Sequence, residues 1–194
     1  MNRLAPADLM SLEQYARERP AFRARVLAHK LERQLAVGPN ATWCFEDRLT
    51  VQYQVQEMLR TERIFEPEGI RDELGAYNPL IPDGSNWKVT LLIEFADSGE
   101  RMRALARMKG IGDRCWVQVA GQERVFAIAD EDLERENEEK TSAVHFLRFE
   151  LAAPMIARLR DGAALAAGID HEHYRYAVSP VPDAVRTALI ADLA

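Results

Sequence analysis

Two stretches of this chain, 88–130 and 143–179, spell out the same order of elements, and that doubling constrains the fold more than any other feature. The first reads strand, helix, strand, tight turn, strand: KVTLLIEF, SGERMRALARMKG, then RCWVQVAGQERVFAIA. The second reads AVHFLRFEL, APMIARLRDG, then AALAAGIDHEHYRYAVS. Superposing them sets Ile93 against Phe149, Phe95 against Leu151, Glu94 against Glu150 and Val89 against His145. One amphipathic helix with three short strands cannot bury its own apolar face. The two β-α-β-β units are therefore expected to share one mostly antiparallel sheet, with helices over a face.

The residues before this point read differently. Residues 1–83 form a mainly helical part, which makes the whole an α+β protein with a helical N-terminal half packed on the sheet. Asp8 is placed to cap a first helix through SLEQYARER, and Pro20 suits the first turn of a second. That second helix, 21–37, carries Ala24, Leu27, Ala28, Leu31 and Leu35 on one face and ends at Gly38-Pro39. A short strand over 41–45 follows. A third helix then spaces Val51, Val55, Met58, Leu59 and Phe65 at helical intervals. A short helix over 68–77 leads into NPLIPDGSN, the best candidate boundary. Residues 84–194 hold the two units and a C-terminal helix. At 194 residues the parts are expected to form one globular unit.

Charge narrows the partners. The net charge of −6 argues against non-specific nucleic-acid binding, which needs a basic footprint. No apolar run approaches the roughly 20 residues of a membrane span, and MNRLAPADLM has no signal-peptide core. Cys44 and Cys115, far apart in strand-like contexts, read as reduced thiols of a cytoplasmic protein. The charge is also segregated. The connector DEDLERENEEK, 130–140, has seven acidic residues and two basic ones, whereas 15–36 has six basic and two acidic. The connector either lies in solvent, the commoner case, or docks on that helix.

A few side chains break the apolar pattern. His145 shares a strand face with Ala143, Leu147, Phe149 and Leu151, so it points with the core. It reads either as a core histidine bonded to backbone or a carboxylate, or as a ligand or proton carrier. Glu62 interrupts the stripe of Val51, Val55, Met58 and Phe65. Glu57 and Arg60, three apart, are surface neighbours, with Gln52 and Gln56 one turn earlier. These residues make either exposed ion pairs or a buried polar network. Because the helix must cover part of the sheet, His145 is expected beside it, with Glu57 or Glu62 as its closest charged neighbour. His171 and His173 alternate as metal ligands could. They nevertheless fall at a hairpin turn, with no spaced third ligand. His29 reads as a surface residue.

No GxGxxG, GxxxxGK[ST], GxSxG, CxxC or ExxH pattern occurs, which removes the common nucleotide, hydrolase and metal classes. The blocks DLMSLEQYARERPAFR, FEDRLTVQYQVQEMLRTERIFE, LGAYNPLIPDG and EEKTSAVHFLRFEL together resemble a bacterial family of unknown function, mainly proteobacterial, over nearly the whole chain. The resemblance implies a setting near rubrerythrin-like and iron–sulfur oxidoreductase proteins. It assigns no catalytic residue. Together these features favour a non-catalytic accessory or partner-binding protein of a bacterial redox or oxidative-stress system, with no cofactor. The rival is a metal-dependent enzyme or small-ligand-binding protein built on His145 with Glu57, Arg60 or Glu62, which keeps a divalent metal open.

Overall fold

In the computed structural model, which describes residues 3–194, the two units divide their strands between two sheets rather than one. The chain runs α1 (Leu12–Leu31), β1 (Gln34–Ala36), β2 (Ala41–Glu46), α2 (Arg48–Glu62), α3 (Pro67–Tyr77) and β3 (Asn86–Ile93). It continues through α4 (Ser98–Arg107), β4 (Cys115–Val119), β5 (Arg124–Phe126), β6 (Ile128–Ala129) and β7 (Val144–Glu150). The last elements are α5 (Ala153–Arg160), β8 (Leu165–His171), β9 (Tyr174–Val178) and α6 (Asp183–Ile190). The fold is α+β and every strand pairing is antiparallel. No helix among the described residues is long and apolar enough to cross a membrane.

The first sheet has the order β1-β2-β3-β7-β6 and the second β5-β4-β8-β9. Each unit places its opening strand in the first sheet, where β3 pairs with β7. Each places its hairpin in the second, where β4 pairs with β8. The physical reason for two sheets lies in the strand faces. Alternate residues Trp43, Phe45, Trp87, Val89, Leu91, Leu147 and Phe149 are buried on one face of the first sheet. Cys115, Val117, Val119, Leu165, Ala167 and Ile169 supply the matching layer of the second, and all belong to one continuous core. A single sheet would leave one of these apolar layers in water; two sheets face to face hide both. Trp43 stacks on Phe149, ring centroids 5.3 Å apart, at its centre. The Trp87 Nε1–H donates to the Leu189 carbonyl at 2.9 Å and ties α6 to the sheet.

The N-terminal helices cover the other face of the first sheet, and several expectations change there. Pro20 lies inside the single helix α1 instead of starting a new one. The carbonyl it leaves unpaired belongs to exposed Ala16, where water can serve it. Ser11, not Asp8, caps α1 by accepting the Gln14 N–H at 3.2 Å. The buried face is Tyr15, Phe22 and Val26, while Leu27 and Leu31 are 44% and 75% exposed. The helix stops at Leu31, and Leu35 is buried as part of β1. Phe65 also points to solvent, because α2 ends at Glu62 and Arg63 turns the chain with φ 55°.

The helical layer has its own apolar seams. Val51, Val55 and Leu59 pack with Leu74 and Ile81, and Tyr15, Phe22 and Val26 pack with Leu49 and Tyr53. Neither cluster merges with the core between the sheets. The layer is thus glued to itself better than to the sheet beneath it, and the space between them is incompletely filled.

Candidate functional site

That space is a cavity of about 270 Å³. Its floor is the helix-facing side of the first sheet, where alternation brings Cys44 and Glu46 of β2, Thr90 and Leu92 of β3, and Val144 and Phe146 of β7 to one surface. Register sets Cys44, Thr90 and Phe146 side by side in one rung. Lys30 of α1, Thr50, Val51 and Gln54 of α2, and Tyr77 and Leu80 close the other sides. One end is apolar and the other polar. At the polar end Glu46 accepts hydrogen bonds from the Thr50 and Thr90 hydroxyls, each at 2.6 Å. The Lys30 ammonium sits 5.9 Å from the Tyr53 ring, and among the described residues it pairs with no carboxylate. Burial and then Glu46 push the Cys44 thiol above its usual range, with Lys30 opposing them. Cys115 is buried and its thiol is also raised, so neither thiol is primed as a thiolate nucleophile.

His145 lies on the opposite face of the same sheet, 1% exposed. Its Nδ1 is 2.6 Å from Asp130 Oδ2, and its Nε2 is 3.1 Å from both the Ser142 carbonyl and Thr141 Oγ1. The Thr141 hydroxyl donates to Glu136 Oε1 at 2.9 Å, which also accepts the Gly110 N–H at 2.5 Å. Asp130, at φ 51°, accepts the Phe146 N–H at 2.9 Å through its other oxygen. Both ring nitrogens are thus spent on fastening the connector, and neither is free to bind a metal or take a proton from a substrate. The acidic connector is clasped to β7 and to the loop after α4. Arg148 grips Glu131 with two bonds of 2.8 Å, and Arg135 covers the Phe146 ring. No ion pair joins the connector to α1 among the described residues.

The expected meeting of His145 with the α2 carboxylates does not occur, because α2 covers the face of the sheet away from His145. Glu57 instead clamps α1 to α2. It accepts the Tyr15 hydroxyl at 2.6 Å and Arg19 Nε and Nη2 at 2.7 and 2.9 Å, with Arg60 Nη2 at 3.3 Å. Glu62 is exposed at the end of α2 and interrupts nothing. Gln56, fully buried, accepts the Met10 N–H at 2.6 Å, and Gln52 donates to the Asp8 carbonyl at 2.6 Å. These polar groups hold the N-terminal segment in place.

The Arg19 guanidinium, with Tyr15 and Arg60, draws the Glu57 carboxyl from 4.5 down to about 2. A lowered folded value means that stability is present above pH 4.5 and is lost as pH falls toward 2. Glu57→Gln should therefore cost ~1–2 kcal/mol near neutrality, allowing for solvent screening. In urea melts the gap to wild type should close between pH 4.5 and 2. A gap that stays constant with pH would assign the loss to packing.

His171 is buried in the β8–β9 hairpin. Its Nδ1 accepts the His173 N–H at 3.2 Å and its Nε2 donates to the Lys109 carbonyl at 2.9 Å. His173 is exposed. Among the described residues, no group of three or more His, Cys, Asp and Glu side chains is placed to hold a metal ion. His29, read as a surface residue, is half-buried with Nε2 2.5 Å from Asp47 Oδ2. Asp47 in turn lies 3.5 Å from Arg33, which pairs with Asp192 beside α6. Burial pushes Asp47 upward, but Arg33, the Thr50 N–H and His29 outweigh it and hold its carboxyl below the ordinary range. Burial prevails at Asp192, whose carboxyl is raised despite Arg33.

The cavity residues Lys30, Cys44, Glu46 and Thr90 escape a search for motifs. One signal for them is present: Leu91, Leu92 and Ile93 are apolar in succession, the mark of a strand covered on both faces.

Comparison places the chain among relatives of the same shape. A crystal structure of a protein of unknown function from Burkholderia pseudomallei, a proteobacterium, is 48% identical. It superposes with a TM-score of 0.95, the match covering 100% of both chains. No curated protein matches. The family model described as "Protein of unknown function (DUF3501)" matches residues 3–193, and this chain belongs to that family.

Proposed function

We propose that this protein is a non-catalytic accessory protein that binds a small amphipathic molecule in the cavity between its helical layer and first sheet. One observation carries the reading. The apolar clusters of the helices and of the sheets stay separate, and the gap between them is a concave site lined by apolar side chains with a few polar groups among them. The enzyme alternative has less support. His145 has no free nitrogen, and Glu57, Arg60 and Glu62 lie on another element away from it. The redox or oxidative-stress setting that the family resemblance implies fits a protein that reports a ligand to a protein partner. The two free thiols suit a reducing cytoplasm.

Filling the cavity tests the reading. Val144 is half-buried on the floor, and Val144→Trp places an indole where the ligand would lie. Wild type should bind one equivalent of the apolar anionic dye 1-anilinonaphthalene-8-sulfonate, and the variant should bind it at least about tenfold more weakly. Its thermal midpoint should stay near that of wild type. Equal dye affinity in the variant would place the dye elsewhere and remove the support.

A further inference from the structure

The two charges in the cavity are not paired with one another, and this arrangement says more than that the site is amphipathic. Glu46 makes no ion pair among the described residues, and neither does Lys30. Both flank Cys44, whose thiol feels them with opposite sign. A partly buried carboxylate and a nearby ammonium that stay apart leave each with unused capacity.

The polar end has a definite hydrogen-bonding sense. The Thr50 and Thr90 hydroxyls both spend their protons on Glu46. Thr50 Oγ1 already accepts the Asp47 N–H at 2.9 Å. Among the described residues Thr90 Oγ1 accepts nothing, and each Glu46 oxygen has a lone pair to spare. Three acceptors therefore remain at this end of the cavity: Glu46 Oε1, Glu46 Oε2 and Thr90 Oγ1. A primary ammonium has three N–H donors. Lys30 offers the complementary partner for an anion, and beyond both charges lie Leu92, Val144 and Phe146, roofed by Val51 and Leu80.

We infer that the cavity takes a small zwitterion with an apolar tail, the chemistry of a free apolar α-amino acid. Its ammonium lies on Glu46 and Thr90, its carboxylate on Lys30, and its side chain over Leu92, Val144 and Phe146. This rests on the ligand-binding reading above and gives it a chemical class. A ligand of one charge alone would leave either Glu46 or Lys30 without a counter-charge, so the site favours a ligand that carries both.

The test is calorimetric titration of the intact protein with L-leucine, L-methionine and L-phenylalanine. Two one-charge analogues of leucine, 3-methylbutylamine and 4-methylpentanoate, are titrated alongside. The tightest amino acid should bind at least about tenfold better than either analogue. Glu46→Gln should weaken the amino acid about tenfold or more while changing 4-methylpentanoate by less than about twofold. Lys30→Met should do the reverse, sparing 3-methylbutylamine. Should Glu46→Gln fold poorly, Thr90→Val removes one acceptor with nearly the same shape, and it should weaken the amino acid and the amine alike. Analogues that bind as well as the amino acids would overturn the zwitterion, even with dye binding still lost in Val144→Trp. If no amino acid binds while that dye result holds, the class is wrong and the cavity reading stands. If the dye result also fails, both fall.

Discussion

Arg33→Ala is expected to destabilise the fold by about 3–5 kcal/mol, read as a lower urea midpoint with an unchanged slope. Arg33 is 3% exposed and sits between two carboxylates far apart in sequence, Asp47 before α2 and Asp192 after α6. It also donates to three carbonyls, those of Phe45, Glu46 and Ala188. Removing the guanidinium strands all of these groups at once, which is why the loss should far exceed that of a surface pair. Asp192→Asn should be much milder. Burial already pushes the Asp192 carboxyl toward its neutral form, so a neutral amide suits the site better than an unpaired charge does. The two acids also respond to pH with opposite sign. Asp47, lowered, contributes stability that is lost as pH falls below its ordinary value of 3.8. Asp192, raised, costs stability above that range and recovers it on protonation. A loss below about 1 kcal/mol for Arg33→Ala would show that the pair had been no better than solvent exposed.

Replacing His145 by Val, the residue its strand neighbour β3 carries at Val89, should cost about 2–4 kcal/mol. Valine fits the apolar face but leaves Asp130 Oδ2 and the Ser142 carbonyl without their donors. The effect should be local first. Backbone amides of 130–142 should exchange faster, and protease should cut there before the rest of the chain opens. The double variant His145→Val with Asp130→Ala should lose less than the two single losses added, because each single change strands the other partner. Additive losses, or a connector no more cleavable than before, would mean that the histidine does not clasp it.

Much of this architecture was legible in the residues. The strands over 88–95 and 143–151, the helices between, the polar hairpin turn near Glu172 and the short strand after Gly38-Pro39 all follow from period and turn chemistry. What failed did so for one reason: periodicity assigns residues to a face but does not say what lies against that face. Ala24, Leu27, Ala28 and Leu31 share a stripe of α1, yet Phe22 and Val26 found the packing partners. His145 does point with the core, but α2 covers the reverse of its strand. Its partner came from the acidic connector, where composition alone suggests open solvent. The cavity was hidden for a related reason: a gap arises from how two layers fail to merge, which no single segment records.

The edges of the two sheets carry a different consequence. The first sheet ends in β1 and β6, of 3 and 2 residues, and the second in β5 and β9, of 3 and 5 residues. The strands between these edges include β3, β7 and β8, of 8, 7 and 7 residues. The longest ladders are thus enclosed, and among the described residues the edges that face another chain are shorter strands with fewer unpaired amides. With nine strands among the described residues, the protein accordingly offers little template for the edge-to-edge association that leads to fibrils.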